Sequence, residues 1–394
     1  MWFLNTFKMD KLLIANEGIK MLLRRQKLRF TSVKKYKGNE EEICKAIIND
    51  CWNGTYLQTS AGHFNLFYIR DFGMCCEALV KLGYKEYVEK TLQFALNVYQ
   101  KNDRITTTIN AKAKPMDVFY YAPDSLAFLL HSLRVSKLDY LIKIYEPFLN
   151  KQINYFFKTA IDKSTGLINE KQFSSIKDHS TTKSSCYNTC MAAMICKEIK
   201  MIAKLFNIKL SNPLAEFDYY KILKKYYWNG NYFNDGLYDK NYVAGDANTF
   251  PFWVGVFDTT KNAKDNEGKK SKKMLESCLI AIQNQGLDEP LPLKYTQKHL
   301  KKRYLVLQNL LASNYQGNTI WVHLGLCYMD VIAKYDKRLL KRYIDAFSAK
   351  INEHKNFLEI YNADGSLYKT FFYHTDDSMV WCSKYLEQKL LIDN

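Results

Sequence analysis

Six stretches of this 394-residue chain gather carboxylates, amides and aromatic rings. They are Gly62-His63-Phe64-Asn65 running on to Ile69-Arg70-Asp71; Tyr120-Tyr121-Ala122-Pro123-Asp124-Ser125; Ile176-Lys177-Asp178-His179; Gly245-Asp246-Ala247-Asn248; Gly317-Asn318-Thr319-Ile320-Trp321; and a last group from Asn356 through Glu359, Tyr361 and Gly365 to His374-Thr375-Asp376-Asp377. Carboxyl groups can hand protons on, amides and guanidinium groups bind hydroxyls, and rings offer flat apolar faces. Together they suit a small, hydroxyl-rich molecule such as a sugar. Metal chemistry finds no support, since the seven His are scattered and no Cys-x-x-Cys occurs.

These residues need elements to bring them together. Apolar spacing predicts about twelve helices, near 39–53, 71–82, 85–101, 124–136, 138–160, 186–206, 213–227, 250–258, 268–283, 318–335, 336–353 and 376–391. They alternate in character. The stretch 336–353 puts Leu339, Leu340, Tyr343, Ile344, Phe347 and Ile351 on one face with Lys and Arg opposite. Its predecessor, from Ile320 to Met329, is apolar nearly all round, so both of its faces should be packed. One-sided helices outside and two-sided helices inside define an all-α, (α/α)6 toroid. Gly83 is expected to close the second helix, Asp336 to cap the eleventh, and Pro147 to kink or split the fifth.

In such a ring every polar stretch falls in a loop leading into an inner helix, so all six meet at one mouth. An Asp at a helix start is equally a cap, which alone would explain Asp71, Asp124 or Asp376. Trp321 and Trp381 lie in apolar runs, where packing in the core is the ordinary role. Six loops in one phase of the repeat are harder to assign to capping alone. No linker divides the chain, so residues 1–38 read as a peripheral arm and 39–394 as one barrel domain.

Composition sets the outer bounds. Hydrophobic residues make up 47% and charged residues 25%, enough for a large core. The formal charge of +17 could serve nucleic acid or an anionic membrane surface. However, the lysines are spread along the chain and the one run, Lys269 to Lys273, reads as a solvated helix start. Neither a nucleic-acid partner nor a membrane partner is expected, and no segment has the length of a membrane span. The ten Cys lie among apolar residues and read as reduced core residues of a cytoplasmic protein.

Ile69-Arg70-Asp71 before a Gly-closed helix, Gly245-Asp246-Ala247-Asn248, and Phe357-Leu358-Glu359-Ile360-Tyr361-Asn362 before Gly365 resemble elements of the six-hairpin glycosidase superfamily. That group includes glucoamylases, trehalases and processing α-glucosidases, and the likeness covers residues 40–390 as an architecture. The Glu-x-Tyr-Asn element is similar to the segment that bears the catalytic base. The resemblance implies an inverting glycoside hydrolase acting on a small α-glucoside or oligosaccharide without a cofactor. By position, Asp178 becomes the general acid and Glu359 the general base, separated by about 6.5–9.5 Å in an inverting pair. Arg70 and Asp71 would hold hydroxyls of the terminal sugar, and Asp124, Asp246, Asn248, Trp321 and Tyr361 complete the expected substrate-binding set. Lys177 must then point away from Asp178, because a cation would lower the acid's pKa. The chain departs from glucoamylases at the acid position, where they carry Trp-Glu-Glu. The alternative is a non-hydrolytic carbohydrate-binding protein or sugar epimerase on the same toroid.

Overall fold

The computed structural model describes residues 33–259 and 266–393, with 13, 15–21, 23 and 24 of the amino-terminal arm; the rest of the arm expected over 1–38 lies outside the described residues. In chain order the helices of the barrel are α1 (Glu40–Asp50), α2 (Ile69–Lys81), α3 (Lys85–Lys101), α4 (Asp124–Val135), α5 (Asp139–Ile144), α6 (Glu146–Ala160), α7 (Cys186–Phe206), α8 (Tyr219–Tyr226), α9 (Phe250–Trp253), α10 (Asn266–Asn284), α11 (Val306–Leu311), α12 (Val322–Ala333), α13 (Lys337–His354) and α14 (Cys382–Asp393). Helices α2, α4, α7, α9, α12 and α14 each pack against the next, and α14 returns to α2. The ring is closed. Between them in sequence run α1, α3, α6, α8, α10 and α13, giving the six hairpins of an (α/α)6 toroid.

Burial follows the sequence pattern. In α12 every residue from Val322 to Met329 is buried, whereas α13 buries only Leu340, Tyr343, Ile344, Phe347 and Ile351. The inner helices approach closely, and α2 meets α4 at a glycine. A Cβ on Gly73 would fall 2.6 Å from the Cβ of Phe128. All ten cysteines are buried and unbridged.

The punctuation holds where local chemistry decides it. Gly83 has a φ of 93°, and the Asp336 carboxylate accepts from the Arg338 and Leu339 amides at 2.8 and 3.0 Å. Pro147 occupies the first turn of α6 and separates it from α5, so the expected single helix over 138–160 is split there. Lys269, Lys270, Lys272 and Lys273 lie on the exposed face of α10.

Other expectations change. The last helix begins at Cys382 rather than 376, because Ser378 takes a φ of 57° that helical residues avoid. The tenth begins at Val322, since Ile320 and Trp321 pair as a strand with Ile360 and Tyr361. The run over 250–258 is helical only for Phe250–Trp253, and that over 213–227 breaks into a 3-10 turn (Pro213–Glu216) and α8. Helix α11 was not expected at all.

Candidate active site

The inner-helix starts are joined by contacts at one mouth. Arg70 in the first turn of α2 bonds Asp124 at the start of α4, and Tyr187 at the start of α7 donates to the same carboxylate at 2.7 Å. The Tyr187 ring meets Phe250, the first residue of α9, edge-on at 4.7 Å. On the other side, His323 in the first turn of α12 lies 4.7 Å from Trp381, just before α14, and the Trp381 indole donates to Asp71 at 3.0 Å. Six helices therefore deliver their amino-terminal ends to one place.

Asp178 sits on the loop before α7. The Arg70 guanidinium clamps it, with NH1 donating to both carboxylate oxygens and NH2 to Oδ1 at 3.2 Å, while Nε donates to Asp124 at 2.6 Å. Lys177 turns the other way and donates to Asp235 at 2.6 Å and Asp246 at 3.1 Å. The cation beside Asp178 is thus Arg70 and not its chain neighbour. Burial against protein outweighs that cation and pushes the Asp178 carboxyl up to about 6, although 22% of the side chain remains open. Asp71 is lifted to about 7, again by burial.

Glu359 is 1% exposed and held from several directions. Tyr315 donates to Oε1, Tyr373 lies 2.8 and 2.6 Å from the two oxygens, and the Asp376 amide donates to Oε2 at 2.9 Å. Burial, and then the nearby Asp376 charge, raise the Glu359 carboxyl to about 7 against the pull of these donors. Asp376 has the opposite fate. It accepts from Ser60 and from the His63 and Phe64 amides, and its carboxylate faces the His63 ring at 3.0 Å. These contacts, His63 foremost, overcome burial and hold it at about 2. Gly62 makes room for this, because a Cβ there would fall 2.1 Å from Asp376 Oδ1. The two halves of the mouth meet where the His179 ring, next to Asp178, lies 5.2 Å from the Tyr315 ring.

The expected residues divide. Arg70, Asp71, Asp124, Asp178, Trp321 and Glu359 stand at this mouth, with Trp321 packed edge-on to Tyr315 at 4.7 Å and 5% exposed. The donors of Arg70, expected on sugar hydroxyls, go to two carboxylates. Asp246 is buried against Lys177, and Asn248 spends its amide on the Phe233 and Ala244 backbone, so both brace the loops. Tyr361 faces outward, its ring 6.0 Å from His354 on α13 and 5.8 Å from the Lys350 ammonium. It is a packing residue here. Sequence reasoning missed Tyr315, Tyr373 and Asp235. Tyr373 directly precedes His374-Thr375-Asp376-Asp377, so an aromatic hydroxyl abutting a polar stretch was the available signal. Among the described residues no His, Cys, Asp and Glu cluster is arranged to hold a metal.

The other mouth opens into a cavity of about 510 Å³ lined by His131, Arg134, Lys197, Glu198, Trp253, Asp330 and Lys384. Its acids are matched by cations: Glu198 by Arg134 and His131, and Asp330 by Lys384. The carboxyls at this cavity are therefore neutralised by the cations beside them.

No protein-family profile matches the chain, and no curated protein is similar to it in sequence. Solved structures do share its fold. A wild-type glycosidase superposes with a TM-score of 0.59 at 10% identity, covering 94% of this chain and 98% of that one. A GH63 mannosylglycerate hydrolase from Thermus thermophilus gives 0.58 at 10% identity over 88% and 98% of the two chains. A rhamnosidase from Klebsiella oxytoca with rhamnose bound gives 0.59 at 10% identity over 89% and 63%. The chain shares the (α/α)6 fold of these structures.

Proposed function

We propose that this chain is a glycoside hydrolase that inverts configuration at the anomeric carbon, with Asp178 as general acid and Glu359 as general base. The observation that carries it is the pair itself. Asp178, next to His179, and Glu359, which accepts from Tyr315, are linked through the contact of the His179 and Tyr315 rings, and both carboxyls are lifted toward neutral pH. A protonated acid meets the leaving oxygen while an ionised base takes a proton from the attacking water. Arg70 acts as a positioning residue that fixes the Asp178 carboxyl, and Asp71 and Trp321 remain to meet the sugar. A small α-glucoside or oligosaccharide is the substrate class we favour, and one structural neighbour, a variant of the same glycosidase, is recorded in complex with glucose.

The epimerase alternative needs two His free to shuttle protons. At this mouth His63 is committed to Asp376, His374 Nδ1 lies 2.9 Å from the Thr375 carbonyl, and burial pushes His323 well below the ordinary imidazole range, so His179 has no second such ring opposite it among these four. A panel of glycosides followed by proton NMR tests the reading. The first product formed should carry the anomeric configuration opposite to the substrate. Retained configuration would overturn the mechanism, and saturable sugar binding without turnover would make the chain a binding protein.

A further inference from the structure

Between Glu289 and Asp330 the chain carries no acidic residue, but it holds Lys294, Lys298, Lys301, Lys302 and Arg303. At the centre of this stretch, α11 has the sequence Val-Leu-Gln-Asn-Leu-Leu and buries none of its residues. Val306 is 86%, Leu307 61% and Leu310 70% exposed. A helix this apolar should turn one side inward, and this one faces solvent.

A second segment stands beside it. Lys369 and His374 pair across a tight hairpin whose tip is closed by the Thr370 amide donating to the Tyr373 carbonyl at 2.7 Å. The tip presents Phe371 at 71% exposure next to Phe372, their rings edge-on at 4.7 Å. Tyr368 donates to the Ser313 carbonyl at 2.7 Å, and Thr370 reaches the Leu311 carbonyl at 3.4 Å. Helix and hairpin therefore form one rim. Lys298, Lys301, Lys302 and Lys369 are exposed around it, and no ion pair among the described residues takes them up.

The rim is joined to the carboxyl mouth beside both Asp178 and Glu359. The Leu305 amide donates to the carbonyl of His179, next to Asp178, at 2.8 Å. Phe372 precedes Tyr373, whose hydroxyl meets Glu359.

We propose that this rim docks the protein on an anionic lipid bilayer and holds the mouth against its surface. Exposed apolar residues alone would suit many partners. Lysines around them, on a stretch without acids, single out a surface of fixed negative charge. The exposed α11 side chains Val306, Leu307 and Leu310 enter the headgroup region to shallow depth, while long lysine side chains reach the phosphates. No membrane-spanning helix is needed, and none of the described helices is long and apolar enough to be one. The inference stands on the rim and is independent of the hydrolytic reading.

Co-sedimentation of the full chain with vesicles is the test. The protein should pellet with phosphatidylcholine vesicles doped with phosphatidylglycerol, stay in solution with phosphatidylcholine alone, and lose affinity as salt rises. Replacing Lys301 and Lys302 by Ala should weaken binding about fivefold per lysine, given about 1 kcal/mol for each basic residue near such a surface. Leu307→Asp combined with Leu310→Asp should abolish it, and circular dichroism should show an unchanged fold because both side chains are exposed. Glu359→Gln should bind as the wild type does, which separates docking from catalysis. Equal binding to neutral vesicles, no binding to anionic ones, self-association through the rim in their place, or full binding by the Leu307/Leu310 variant would each overturn the proposal.

Discussion

The two mouths of the barrel are built from the same helices and much the same residue types, yet their acids behave in opposite ways. At the other mouth Glu198, midway along α7, is 2% exposed but meets the His131 ring and the Arg134 guanidinium, and it stays ionised down to about 2. At the amino-terminal mouth Arg70 is shared between Asp124 and Asp178, and Glu359 has hydroxyls and an amide in place of a cation. Helix dipoles alone would favour ionised acids at this second mouth. Burial without enough positive charge overrides them. One end spends its charges on cohesion, and the other leaves carboxyls able to exchange protons near neutral pH.

That contrast can be broken most severely at Glu359. Glu359→Gln keeps the shape but cannot take a proton from water, so hydrolysis should fall by about 10²–10⁴-fold in steady-state assays. Stability should move the other way. A carboxyl whose folded pKa is raised from 4.5 to about 7 contributes stability fully present below its ordinary pKa and lost as pH rises through about 7. Thermal melts should therefore show the Gln variant losing less stability than the wild type between mildly acidic and mildly alkaline pH. An identical pH dependence would mean that Glu359 is not strained.

The opposite mouth should respond in stability alone. Arg134→Ala leaves Glu198 buried with only His131, and breaking such a pair costs about 3–5 kcal/mol, measurable by denaturant unfolding. Activity per folded molecule should hold. A matching loss of turnover would show that the two ends are coupled and the contrast false.

The smallest effect sharpens the comparison. The proposed mechanism needs Asp178 protonated and Glu359 ionised; with the acid at about 6 and the base at about 7 that form is a minority at every pH, and its share peaks between the two values. The Tyr315 hydroxyl favours the ionised form of Glu359. Tyr315→Phe should thus raise the Glu359 pKa and move activity to higher pH, by several-fold in kcat/KM at the acid side. An unmoved pH profile would reduce Tyr315 to packing.

Much of the architecture could be read in advance, and the reasons are local. Helices over 85–101 and 186–206 fall at Lys85–Lys101 and Cys186–Phe206 because their apolar period and end signals agree. Helix α11 escaped because the argument from periodicity assumes that apolar residues seek burial, and Val306, Leu307 and Leu310 do not. At the mouth, the motif positions of Arg70, Asp178 and Glu359 could be read in the sequence, but their partners could not. Asp235 beside Lys177, and Tyr315 and Tyr373 beside Glu359, are brought in by loops that only ring closure places. Tyr361 shows the converse, since its motif named it while its strand turned its ring to α13.

The Asp376 contacts have a consequence for how the molecule is made. Its carboxylate gathers Ser60, His63 and Phe64 from the first hairpin, while its own amide holds Glu359 near the end of the chain. Lys389 reaches Glu40, and Lys81 reaches Glu387, across the same seam. The mouth is thus a clasp whose two halves lie 313 residues apart in the sequence. A nascent chain can complete the hairpins between these halves and still have no assembled Glu359 pocket, so that pocket forms in a single event when the later half meets the earlier one.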